Sequence, residues 1–150
     1  MTELKQKLYN ACLNYVQTRI NNTQQAIASA RQAGKDDTKS SAGDKYETGR
    51  EMAQQEENRS MAQLTEANKL KVALNYINTS HTSAIADTGS VILTSKGNFY
   101  LSISAGALTV DDKVYFAVSP ASPIGLKLKG VQKGDGFLLN GETYKVEEVA

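Results

Sequence analysis

From Leu4 onward, apolar or small side chains recur as Leu4, Leu8, Cys12, Val16, Ile20, Thr23, Ile27 and Ala30. Every step is three or four residues, so these positions fall on one slowly drifting stripe of a helix. No proline interrupts the run, and Gly34 stands where a left-handed residue often ends a helix. The pattern predicts a helix over 3–33, a rod of about 45 Å at 1.5 Å per residue. A second stripe runs Tyr46, Gly49, Ala53, Glu56, Ser60, Leu64, Ala67, Leu70, Leu74 and Ile77, with Asp44 placed to cap its start.

Between the rods, residues 35–43 are polar and aperiodic. Two long helices joined by so short a segment fold back as an antiparallel hairpin. Its seam is thin, with Ala, Thr, Ser and a Glu where a strong coiled coil places Leu or Ile. The pattern therefore predicts an arm that presents its tip to something.

After His81 the period changes to two. Residues 90–94, 98–103 and 113–118 are β-branched or aromatic runs, and Ser95-Lys96-Gly97-Asn98 has turn composition between the first two. Phe137-Leu138-Leu139 and Thr143-Tyr144-Lys145-Val146 flank Asn140-Gly141, the strongest short hairpin signal in the chain. Ser122-Pro123 opens a short helix through Lys129, which Gly130 closes. The expectation is an α+β chain, with a helical hairpin over 1–80 and, over 81–150, an antiparallel sheet of about five strands carrying one short helix.

Composition sharpens that division. Residues 1–80 contain three Gly, no Pro and sixteen Asn or Gln, whereas 81–150 contain eight Gly and both prolines. Charge does not divide the chain: the 150 residues carry 17 Lys and Arg against 16 Asp and Glu. Near neutrality excludes a polybasic nucleic-acid coat and an acidic tail. With Cys12 as the one cysteine, an intramolecular disulfide and a multi-cysteine zinc site are excluded. No apolar run approaches the ~20 residues of a membrane span, and residues 1–4 lack a secretory start, so a cytoplasmic protein without membrane contact is expected. One His and one Cys supply no nucleophile constellation, so neither an enzyme nor a cofactor of its own is expected.

Two stretches resemble the Gre family of bacterial transcript-cleavage factors. The first is Ala42-Gly43-Asp44-Lys45-Tyr46-Glu47-Thr48-Gly49-Arg50-Glu51, whose Tyr46 and Arg50 match the Tyr and Arg that follow the acidic tip of Gre proteins. The second is Val118-Ser119-Pro120-Ala121-Ser122-Pro123-Ile124-Gly125, then Leu128-Lys129-Gly130 and Lys133-Gly134-Asp135, similar to the family's C-terminal motif. The resemblance implies a coiled-coil hairpin followed by an FKBP-like domain. It also implies docking on the rim of the secondary channel of RNA polymerase, with the hairpin tip directed to the active centre. There the family's tip carboxylates help hold a second magnesium ion while the polymerase cleaves its own RNA.

This sequence departs from the family at that tip. Counting back from Tyr46, the family's Glu falls on Ala42 and its Asp on Lys39. The acids nearby are Asp36, Asp37 and Asp44. The reading is a transcription elongation regulator that binds polymerase and modulates cleavage rather than strongly stimulating it, touching RNA and the active-site magnesium only indirectly. Its partner-binding residues are Asp36, Asp37, Lys39, Ser41, Asp44, Lys45 and Tyr46 at the tip, with Ser122, Pro123, Ile124 and Gly125 in the second domain. The acids also suit turns and caps, the lysines solvent, Tyr46 the seam, and Ser122-Pro123 a helix start. A coiled-coil adaptor or holdase is the alternative function, and a prolyl isomerase is disfavoured by the absence of Trp and by only three Phe.

Overall fold

A computed structural model describes residues 2–38 and 43–150, with side chains at 2–35 and 49–150. The described elements are α1 (Thr2–Thr38), α2 (Gly43–Asn75), β1 (Val91–Thr94), β2 (Gly97–Leu101), β3 (Gly106–Val110), β4 (Lys113–Val118), α3 (Pro123–Leu128), β5 (Gly136–Leu139) and β6 (Glu142–Val149). Two long helices packed together, then a mostly antiparallel six-stranded sheet and a short helix, make an α+β fold. The chain divides into two compact units, residues 16–71 and residues 1–15 with 72–150.

The 16–71 unit is a helical pair. Gly34 approaches Ala53, and Arg31 Nε bonds Glu57 Oε1 at 2.7 Å. Residues rise along one helix as they fall along the other, so the pair is antiparallel. Ile20, Thr23, Ile27 and Ala30 of α1 are buried, and Ser60 and Ala67 of α2 likewise, which is the thin seam the periodicity predicts. Two expectations are corrected. Gly34 does not end α1, which continues to Thr38; a Cβ there would stand 3.7 Å from that of Ala53, an ordinary contact that favours continued packing over a turn. The seam carboxylate is Glu57 rather than Glu56, because the α2 stripe drifts by one residue and the Arg31 guanidinium draws Glu57 inward. With Arg31 largely exposed, that pair contributes at most about 1 kcal/mol.

The other unit holds the sheet, in the order β3-β4-β2-β1-β6-β5. The β1–β2 and β5–β6 hairpins form as their turn residues predict, the second through Asn140 and Gly141 at φ 51° and 80°. β3 is a sixth strand that the sequence reading missed. Its turn to β4 is Asp111-Asp112, both left-handed at φ 51° and 63°, a conformation a short polar side chain tolerates. The expected all-antiparallel sheet is also corrected, since β2 and β4 pair in parallel. Residues 102–105 carry the chain past one strand position, and β4 then returns into the gap between β3 and β2.

Alternation along the strands gives the sheet two apolar faces. On one, Ile92, Phe99, Leu101 and Val146 pack with Leu128, Val131 and Ala86, flanked by Val118, Ile124, Phe137 and Tyr144. On the other, register groups Val91, Tyr100, Leu108, Tyr115 and Ala117, all buried. The first turns of α1 serve this second face: Cys12 Sγ lies 3.8 Å from Ser102 Oγ, and Lys7 Nζ is 3.1 Å from the Asp111 carboxylate. Each fully buried Leu or Val contributes roughly 1.5–3 kcal/mol, so the sheet depends on a helix far from it in sequence.

Candidate partner-binding site

The tip residues are reached by backbone alone. Asp36 and Asp37 fall in the last turn of α1, and Asp44, Lys45 and Tyr46 in the first turn of α2. Their side chains, the proposed Asp44 cap among them, lie outside the described residues, as do Lys39 and Ser41 entirely. Arg31 and Glu57 are bonded to each other further along the hairpin.

The Ser122–Gly125 segment is described in full, and its local chemistry is dictated by a tight turn. Ser122 Oγ donates to the Ser119 carbonyl at 2.6 Å and accepts from Gly125 N at 3.0 Å, so one hydroxyl closes the turn and caps α3. Pro123 occupies the first turn, where its missing N–H costs nothing. A Cβ on Gly125 would stand 1.9 Å from the Ser119 oxygen, so only glycine fits there. Ile124 packs against the core of the sheet. Of the four residues singled out, Pro123 is exposed and the other three serve the fold directly.

Other exposed apolar groups were missed by the sequence reading. Leu126 is 67% exposed, on the side of α3 opposite the fully buried Leu128. The helical offset between the two carries that signal, but a helix of only six residues gives it little weight. On the sheet, Phe116, Phe99, Tyr144 and Phe137 form a row with ring centroids 6.0, 6.3 and 5.0 Å apart, and Phe116 stays partly open to solvent.

Beneath the first turns of α1, Cys12 is fully buried, and burial pushes its thiol up to about 11. The Tyr100 hydroxyl is buried with no hydrogen-bond partner among the described residues, and burial raises it too. A buried protonated thiol is a poor nucleophile. Iodoacetamide should therefore leave Cys12 untouched in the native protein and modify it rapidly in denaturant; fast native labelling would contradict the burial. The pH dependence follows. Between about 9 and about 11 the folded thiol keeps a proton that the unfolded one loses. The contribution of Cys12 is thus whole below pH 9 and falls as pH rises toward 11. In urea titrations the advantage of wild type over Cys12→Ala should shrink from about pH 8 to about pH 10.5.

Among the described residues, no three His, Cys, Asp or Glu side chains are grouped to hold a metal ion, and no helix is long and apolar enough to cross a membrane. No family model, curated protein or solved structure matches the chain.

Proposed function

We propose that this protein is a cytoplasmic regulator of transcription elongation that binds bacterial RNA polymerase at its secondary channel. In this reading the sheet-bearing unit, with an FKBP-like fold, docks on the channel rim, and the tip between residues 36 and 46 reaches toward the active centre. The observation that carries it is one chain combining an antiparallel helical pair with a Ser-Pro-Ile-Gly turn and cap in a following sheet unit. Carboxylate oxygens suit magnesium, yet Lys39 and Ala42 occupy the positions where the family has its acids. Modulation of the polymerase without strong stimulation of RNA cleavage fits that substitution. The protein brings no cofactor of its own and meets RNA and magnesium only through the polymerase.

The test is retention of purified polymerase by the wild type and by a variant with residues 35–45 replaced by a Gly-Ser loop. Both should bind, and only the wild type should change elongation. Stalled complexes should cleave RNA at near their intrinsic rate with wild type and with Asp44→Ala alike. Activity present in the wild type and lost in Asp44→Ala would move the metal-binding role to Asp44. Failure of both proteins to bind polymerase would overturn the reading, and recovery with assorted unfolded clients would favour a holdase.

A further inference from the structure

Within the sheet-bearing unit, a cleft of about 440 Å³ opens between the start of α1, the segment 76–90 and the end of α3. Its size is that of small-molecule sites. Lys5 lies in its wall, only 2% exposed. The ammonium donates to the His81 carbonyl at 2.6 Å, and among the described residues it has no other partner and no carboxylate within ion-pair distance. Two of its three N–H groups are thus unspent, and its positive charge is buried without compensation, an arrangement that is costly unless an anion completes it. Burial accordingly pushes the Lys5 ammonium below its usual range.

The remaining lining is rich in donors. Ser83 Oγ and Ser90 Oγ each accept a backbone N–H, from Ile85 and Asp87, which leaves their hydroxyl protons available. Thr88 and Lys129 also belong to the wall, and their side chains carry a third hydroxyl and a second ammonium. Asp87 is the one acid in the wall, and its Oδ1 already accepts from Thr88 N at 2.8 Å. Two ammonium groups and three hydroxyls offer more donors than the two oxygens of a carboxylate accept, and they match the oxygens of a phosphate. Ile85 and Tyr76, both largely exposed, are also lining residues and can offer apolar surface to an organic body.

We propose that this cleft binds a small phosphorylated ligand, its phosphoryl group held by Lys5 and Lys129. The site is separate from polymerase binding and does not depend on it. The test titrates the full-length protein with inorganic phosphate at ionic strength fixed by chloride, reading thermal stability and the side-chain NMR signals of its lysines. Saturable stabilisation is expected, with the Lys5 and Lys129 signals moving together, and with succinate at least tenfold weaker. Lys5→Met keeps the apolar stem in its slot, and Lys129→Ala alters only an exposed residue; each should weaken phosphate at least tenfold. Absence of saturable binding overturns the proposal, and so does equal binding by wild type and Lys129→Ala. If Lys5→Met fails to fold, Lys129→Ala and the wild-type lysine signals still decide it. Stronger binding of succinate than phosphate would also overturn it, by making the site one for carboxylates.

Discussion

Gly125→Ala will destabilise the sheet-bearing unit by about 3 kcal/mol or more, at the upper end of overpacking costs. The added carbon would sit 1.9 Å from the Ser119 carbonyl oxygen and 2.9 Å from both the Ser119 carbonyl carbon and Ser122 Oγ. Two of those three atoms are backbone, so no side-chain rotation relieves the overlap. The turn must open, and with it go the Ser122 bonds to Ser119 O and Gly125 N. Ile124 and Leu128, which that turn seats on Ile92, Phe99 and Val146, would lose their fit. By contrast Ser122→Ala removes the cap alone and should cost about 1 kcal/mol. Denaturant midpoints for the two variants measure the difference. Equal, small effects would mean that the turn opens without disturbing the packing of Ile124 and Leu128.

The second large effect concerns where the sheet gets its second layer. A fragment of residues 81–150 will not fold cooperatively, although it contains every strand. Removing α1 uncovers the face that carries Val91, Tyr100, Tyr115 and Ala117. It also deletes Leu8 and Cys12, each without solvent exposure in the intact chain. At roughly 1.5–3 kcal/mol for each large buried side chain, the loss approaches the 5–15 kcal/mol that holds an ordinary domain together. The full chain lacking residues 2–15 should fail in the same way. The measurement is amide dispersion by NMR with thermal melting followed by circular dichroism. A sharp melt and a dispersed spectrum from the 81–150 fragment would show that α1 is dispensable to the sheet.

These two expectations separate what local sequence encodes from what it does not. The α1 stripe from Leu8 to Ala30 is legible because a helix repeats its faces every three or four residues, and each member of it is buried. Asn140-Gly141 and Ser122-Pro123 are legible because their backbone preferences act within four residues. β3 escaped because Asp111-Asp112 is a weaker turn signal than Asn-Gly and because Leu108 and Val110 alternate over too few residues. The candidate site divides in the same way. Ser122 and Gly125 attract attention as a motif, but the reason for the glycine, a carbonyl six residues earlier, exists only once the turn has closed.

By itself the sequence determined the change from helix to strand near residue 80, the buried stripe of α1, two of the hairpins and the capped short helix. All of these depend on periodicity and on backbone preferences between near neighbours. The tertiary structure alone decided the parallel seating of β4 beside β2, the service of the first turns of α1 to the sheet, and the burial of Lys5 against the His81 carbonyl. Those features join residues tens of positions apart. Their free energy comes from excluding water between surfaces that meet only after the chain has folded, and no local pattern records such a meeting.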